Sequence, residues 1–450
     1  MESIPQRQQG RSIWSPSVPF AANRCPFFYG WVIVFVATLG SLFSIPGQTM
    51  GFSVFTDVLM TELGLSRAQL STAYCVGTVA SGLTLPWLGR LLDRWGERKM
   101  GAASAVVTGV VLFYLSCVVL FVNAVARGLP DAWRPVVAFA AISLGFYLIR
   151  ASAQGVLSMV CRNAIGKWFN FQRGFALAVS GILVSFGFSV APRALDELVS
   201  RFGYDGAWRW MGILTIAVMG PLAWLLFRDT PEESGLEMDG GDRPVQRREN
   251  LDMKIHREFT RDESLATYSF WIFNLSFAFY AFYGTAFTFH IISLGEEIGF
   301  SRERILTLFF PMAAVSVTTN LLFGWINPYL RLKYLLVLMN GGGVLGAVGL
   351  LSLASPWGVP AYVIGNGIAS GGFVSLSGII WPRFFGRLHL GAISGVNMST
   401  MVIASGLGPM CFGWCLQIAE SYRPVLLMSV FVPGIFGLLS LWADNPQRAS

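Results

Sequence analysis

Arg150 is the one Lys or Arg set well inside an apolar run of this 450-residue chain. A charge in a low-dielectric interior is expensive, and it persists where it faces a partner or a wet cavity. At helical spacing it shares a face with Ser143, Tyr147, Gln154 and Ser158, at offsets of −7, −3, +4 and +8. A polar stripe of that kind suits a water-lined passage. A guanidinium offers paired donors that match a carboxylate, so the chemistry available is capture of a small anion. The other reading is a structural or gating role, with the guanidinium bonded to backbone carbonyls or to an acid on another helix.

Other candidates flank it. Pro46-Gly47, followed by Gln48 and Thr49, interrupts the first apolar run. Such a break either frees backbone groups for a ligand or kinks a helix. A later run carries Tyr280, Tyr283, Phe287 and His290 on one side, with Gly284 beside Tyr283. Tyr283 suits a ligand donor or a gate, although aromatic stripes also serve packing. Histidine titrates near neutrality, so His290 suits a proton carrier or gate residue; its place near a helix end equally suits an interface. Asn274, Asn320 and Asn397 lie inside runs, as ligand contacts or as glue between helices. No carboxylate lies deep in a run: Asp57, Glu62, Asp196 and Glu197 all fall at edges.

No grouping points to an enzyme. The histidines, His256, His290 and His389, are far apart, and no phosphate-binding loop exists to drive the chain with ATP. The six cysteines are scattered, and Cys411 and Cys415 have no His or carboxylate nearby, so they read as small buried hydrophobes. No metal and no cofactor is expected.

These residues must be positioned by membrane-spanning helices. The chain is 54% hydrophobic and 13% charged, with mean hydropathy +0.57. That leaves too little charge to coat a water-exposed surface. Twelve spans fit, near 28–55, 70–90, 100–122, 136–159, 174–194, 209–227, 268–292, 304–326, 333–353, 359–381, 391–416 and 423–443. Runs this long exclude porin strands. The tail, the even-numbered loops and the C-terminus hold 22 Lys and Arg, against nine in the odd-numbered loops. That bias places both termini in the cytoplasm and explains the net charge of +7 without invoking nucleic acid.

The organisation follows. Residues 1–27 form a cytoplasmic tail, 28–227 a six-helix bundle, 228–267 a charged linker partly disordered or carrying a short surface helix, 268–443 a second six-helix bundle, and 444–450 a short tail. The halves repeat. Leu63-Gly64-Leu65-Ser66-Arg67 returns as Ile298-Gly299-Phe300-Ser301-Arg302, and the same offset of 235 sets Gly89 on Gly324 and Tyr283 opposite Gln48. Lys167-Trp168-Phe169 returns as Arg383-Phe384-Phe385 at an offset of 216, which sets Arg150 opposite Asn366 and Gln154 opposite Ser370. Parallel six-helix repeats are a known transporter plan, with the ligand between them near the midplane.

The loop after span 2 reads Gly89-x-x-x-Asp93-Arg94-x-Gly96-x-Arg98-Lys99. The glycines permit a tight turn, and Asp93 at a helix end can pair with a neighbouring helix N-terminus or an Arg, latching one conformation. This loop matches the loop 2–3 motif of the major facilitator superfamily at each defining position. Gly30-Trp31, Gly47 with Ser53-Val54-Phe55, and Lys167-Trp168-Phe169 with Arg173-Gly174-Phe175-Ala176 resemble the monocarboxylate transporter and oxalate:formate antiporter-like branch. The resemblance covers residues 27–443.

It implies an all-α membrane protein of twelve helices in two pseudo-symmetric bundles, rocking about a central site. It also implies transport of a small carboxylate, by proton symport or anion exchange. The chain departs from the branch in having no basic residue in span 8 or span 11, where the family commonly binds carboxylate. The expected site is therefore Arg150 with Gln48, Tyr147, Gln154, Tyr283 and Asn366, and the expected latch Gly89, Asp93, Arg94, Gly96 and Arg98. The lack of a deep acid favours exchange, facilitated movement, or a substrate that carries the proton itself. A monomer in the inner (plasma) membrane is expected. A neutral or drug-like solute is the alternative cargo, and a non-transporting sensor the rival from another class.

Overall fold

The computed structural model describes residues 13–241, 255–297 and 299–448. Arg7 and Arg11 of the tail, Arg247 and Arg248 of the linker, and Ile298 of the repeated pentapeptide lie outside the described residues. Every regular element described is helical. Hydrocarbon leaves each backbone N–H and C=O to bond within its own segment, which a helix does and an open strand does not.

Among the described residues nine helices are long and apolar enough to cross a bilayer, and Gly30–Phe43 is a shorter apolar one. Two of the nine contain a reversal. Arg67–Ser116 breaks at Gly96, where φ is +80°. Gly77 packs against Phe146, Gly145 packs against Leu115, and Glu97 reaches Lys167. Residues 77 and 115 therefore share a level along the fourth span, and the chain turns back between them. Gly96 is required twice over: the φ is left-handed, and a Cβ there would collide with the Asp229 carboxylate. Arg173–Leu226 turns in the same way at Gly203, with Gly187 against Leu42 and Met219 against Gly40. Counting both hairpins and the short first helix, the described residues cross twelve times.

Apolar packing shows how the halves meet. One core draws on both, joining Leu85, Trp168 and Leu177 with Phe323, Trp381 and Leu390. It lies toward the end that carries Gly96 and the linker. A second core takes its residues from between Phe52 and Trp208, and a third from between Tyr283 and Leu426. The halves are joined at the linker end and part toward the far end. At the join, backbone meets backbone. A Cβ on Gly89 would run into the Gly391 carbonyl oxygen, and one on Gly174 into that of Gly324. Small residues at helix contacts permit this approach.

The described linker residues lie on this end. Asp229 accepts from the Arg98 N–H at 2.9 Å, and Asp239 from the N–H groups of Asn170, Phe171 and Gln172, the shortest at 2.7 Å. Glu258 accepts from the N–H groups of Arg387 and Leu388 at 2.6 and 2.8 Å. These carboxylates satisfy loop donors that helices leave orphaned. The short helix Arg261–Leu265 follows, capped by the Thr260 side chain.

Candidate functional site

The fourth span changes pitch at its critical residue. Arg134–Ile149 is α-helical, Arg150–Leu157 is π-helical, and Ser158–Trp168 returns to α. Single π turns inside α-helices are frequent at functional positions. The widened stretch fits the break in the first span. A Cβ on Gly47 would meet Ala153 Cβ, Ile149 O and Gln154 N at 2.7, 2.8 and 2.9 Å, so only glycine allows the two segments to touch.

Arg150 lies in that contact. Its Nη1 donates to the Tyr74 hydroxyl at 2.6 Å and to the Gly47 carbonyl at 3.4 Å. The guanidinium carbon is 5.0 Å from the Tyr74 ring centroid, within cation–π range. Tyr74 also shares a 2.9 Å hydrogen bond with Thr49 Oγ1. Arg150 is 2% exposed, and its Nε has no partner. No described ion pair includes it; its hydrogen-bond partners are a hydroxyl and a carbonyl. Among the described residues it is a buried, uncompensated cation held between spans 1, 2 and 4.

The other candidates of this half lie on the same span or on the adjoining first span. Gln154 is half-buried, and its Oε1 has no partner; Ser143 Oγ has none either. Gln48 donates to Ser44 Oγ at 3.3 Å, and Ser158 donates to the same atom at 3.2 Å. Tyr147 is half-buried, with its backbone against Gly77. Tyr74 is the contact that sequence reasoning missed. It is one tyrosine in an apolar helix, and only the fold brings it to Arg150.

Tyr283 and Asn366 lie elsewhere. They line a small cavity inside the second half, together with Ser276, Asn340, Ser429 and Pro433. Among the described residues no hydrogen bond joins them to the Arg150 group. The aromatic face of span 7 packs within the same half: Tyr280 stacks on Phe373 with centroids 4.6 Å apart, and Phe287 meets Tyr362 at 5.5 Å. His290 bridges spans 7, 11 and 12, with Nε2 2.9 Å from the Pro409 carbonyl and Nδ1 3.0 Å from the Tyr422 hydroxyl. A carbonyl only accepts, so Nε2 carries a proton. Asn397 donates to Asn274 at 2.8 Å, tying span 11 to span 7.

The basic loop sits at the join. Asp93 accepts from the N–H groups of Gly391 and Ala392 at 2.6 and 2.7 Å, which places a carboxylate at the N-terminus of the helix Leu390–Ala419. Asn163 donates to Ser394 at 2.9 Å, and Arg387 donates to the Lys167 carbonyl at 2.8 Å and to Glu232 at 2.8 Å. Arg94 is exposed. Arg98 turns away from the join: its guanidinium donates to the carbonyls of Trp224, Ser15 and Val18, clasping the N-terminal segment.

Sequence reasoning also missed a buried ion pair beneath this loop. Lys167 Nζ is 2.7 Å from Glu97 Oε1, with side chains 9% and 0% exposed. Both residues read as solvated loop charges, and the contact joins two different loops. Removing one partner strands the other charge, at a cost of about 3–5 kcal/mol. Lys167→Met is therefore expected to lower the thermal unfolding midpoint in detergent sharply. Adding Glu97→Gln should restore most of the loss. A double variant as unstable as Lys167→Met would show that the pair is not what matters there.

Twelve helical crossings in two halves joined at one end, with a buried cation packed among spans 1, 2 and 4, define a multi-pass membrane protein. The family model described as Major Facilitator Superfamily matches residues 37–366, and the chain belongs to that superfamily. An uncharacterized 38 kDa protein in the 23S RNA operon of Thermoproteus tenax is 25% identical over 394 residues, 86% of this chain and 90% of the relative. Among solved structures, a bacterial homologue of the iron transporter ferroportin, in an outward-facing state with soaked iron, is similar at a TM-score of 0.69. It is 15% identical, over 91% of this chain and 98% of that one. The human organic anion transporter MFSD10 (TETRAN) is similar at a TM-score of 0.58, with 16% identity over 91% and 99%. These likenesses establish the fold. The protein is a secondary transporter that works by alternating access, and not an enzyme.

Proposed function

We propose that this transporter carries a small organic anion, a monocarboxylate or similar acid, and that it stands in the monocarboxylate and oxalate:formate-like branch. One observation carries this reading: Arg150 is buried without an acidic partner among the described residues, its Nε unused. A buried cation is stabilised most by an arriving anion, and a guanidinium binds a carboxylate through two parallel hydrogen bonds. Gln154, Tyr147 and Gln48 shape the space beside it, and Tyr74 orients it. Basic residues crowd the linker end, and their bias supports a cytoplasmic place for that end and for both termini; in this reading the protein acts as a monomer in the plasma membrane. With the halves joined on that side, this orientation makes the described state an outward-facing one. With no deep acid in the spans, charge is balanced by a counter-anion or by a proton borne by the substrate.

Uptake of labelled lactate, pyruvate, oxalate and formate into proteoliposomes tests this. Accumulation of at least one acid, competed by other small carboxylates and not by neutral sugars, is expected. Acceleration by trapped internal anion would mark exchange, and acceleration by an inward pH gradient would mark proton-linked entry. A protein that moves neutral solutes and none of these acids would overturn the reading.

A further inference from the structure

The fourth span runs deeper than its sequence predicts. The expected span closes near residue 159 and leaves Arg162 in a loop. The helix Ser158–Trp168 instead carries Arg162 within the membrane-crossing stretch Asp131–Trp168. After Arg150, every residue as far as Phe169 is buried except Gln154, Ser158 and Arg162. These three are spaced four apart, so they form one row down an otherwise buried helix. A row facing lipid is apolar; this one is an amide, a hydroxyl and a guanidinium, which suits water.

Its neighbours fix where the row looks. One turn before Arg162, Ser158 donates to Ser44 Oγ at the end of the first span, at 3.2 Å. One turn after it, Gly166 packs on Pro382 and Leu390, which belong to spans 10 and 11. On its flanks, Cys161 lies against Gly40 of the first span, and Asn163 donates to Ser394 of span 11 at 2.9 Å. Arg162 therefore sits where the first span faces the second half, less than two turns before Trp168 of the shared core. Among the described residues it makes no hydrogen bond and no ion pair, and the titratable group that acts on it is the Cys161 thiol, not an acid.

We infer that Arg162 is a second binding station for the carried anion, on the linker side of Arg150. Twelve residues at about 1.5 Å each set the two cations about 18 Å apart along the helix, too far for one small carboxylate to bridge. An anion leaving Arg150 toward the linker end follows the row past Gln154 and Ser158, whose polar groups replace its water. The paired donors of the second guanidinium then catch it beside the Asn163–Ser394 contact between the halves. The inference rests on the anion reading above.

Thiol labelling in a background cleared of native cysteines reads the position without any substrate. Ser158→Cys should react with methanethiosulfonates bearing a sulfonate or a trimethylammonium group, faster with the sulfonate. A unit charge about 6 Å away shifts an anion and a cation in opposite senses by about threefold each in water. Adding Arg162→Gln should therefore lower the sulfonate-to-ammonium rate ratio about tenfold. Uptake of labelled lactate, pyruvate, oxalate and formate into proteoliposomes reads the station itself, on each acid the wild type accumulates. Arg162→Gln should lower the maximal rate at least about fivefold and leave KM within about twofold, because entry at Arg150 is intact. Arg162→Lys should recover most of that rate. A thiol at position 158 that neither reagent reaches, or a rate ratio unmoved by Arg162→Gln, would overturn the inference whatever the cargo. An unchanged maximal rate in Arg162→Gln, or an Arg162→Lys protein as slow as Arg162→Gln, would overturn it and leave the anion reading standing. Wild-type protein that carries none of these acids would overturn both.

Discussion

Replacing Arg150 with Gln is expected to cut uptake of a labelled small carboxylate, the proposed cargo, by about a hundredfold or more, with unchanged elution and thermal midpoint. The magnitude follows from losing two charge-assisted hydrogen bonds, each worth about 1.5–3 kcal/mol. In wild-type protein the charge is uncompensated at 2% exposure, so its removal strands no acid and the fold should tolerate it. Arg150→Lys keeps the charge and loses the planar fork, and should recover less than about a tenth of the activity. Tyr74→Phe keeps the ring 5.0 Å from the guanidinium carbon but deletes the 2.6 Å hydroxyl contact. It should raise KM about five- to tenfold with little change in kcat. Uptake by Arg150→Gln within twofold of wild type would remove this residue from the substrate path.

Gly89→Val should be the most damaging change at the linker end. Its Cβ would collide with the Gly391 carbonyl oxygen, a backbone atom that cannot rotate aside. The halves would be held apart there, and transport should fall by more than about an order of magnitude. A Ser394→Cys substitution reports the change, because Ser394 is buried and bonded to Asn163 in wild-type protein. In a background cleared of native cysteines, that thiol should resist a thiol reagent while Gly89 is present and react once Gly89→Val is added. Asp93→Asn removes the charge and one of the two acceptors, because the amide nitrogen cannot replace the carboxylate oxygen that accepts at 2.6 or 2.7 Å. It should shift the same labelling by about tenfold, corresponding to about 1–2 kcal/mol. Labelling that stays at the wild-type level in both variants would show that this contact does not govern closure.

The sequence made the spans, the basic loop and the lone intramembrane cation legible because each is a local signal. Apolar length, loop charge and a single Arg inside a helix need no knowledge of neighbours. Asp93 was readable for the same reason: a carboxylate at a helix end in a tight glycine turn has few uses. What stayed hidden depends on long-range meetings. Tyr74 and Arg150 are 76 positions apart, and nothing in the helix of Tyr74 distinguishes it. Glu97 and Lys167 each lie in charged loops and look solvated until the loops stack. The π-helical turn at Arg150–Leu157 has no compositional mark; it lies where Gly47 of the first span packs against the fourth. The repeat offset set Asn366 opposite Arg150 as topology, yet helix rotation sends its amide into the second half, where it bonds Tyr362.

The facing glycines at the join, Gly89 on Gly391 and Gly174 on Gly324, have a mechanical corollary. Surfaces without side chains carry no teeth to unmesh, so the two rigid bodies can roll there without rotamer changes. Resistance to that rolling then resides in a handful of polar clasps, Asp93 and Arg387 foremost among them. Turnover speed should therefore track the strength of those clasps far more than the bulk of the lipid-facing helices.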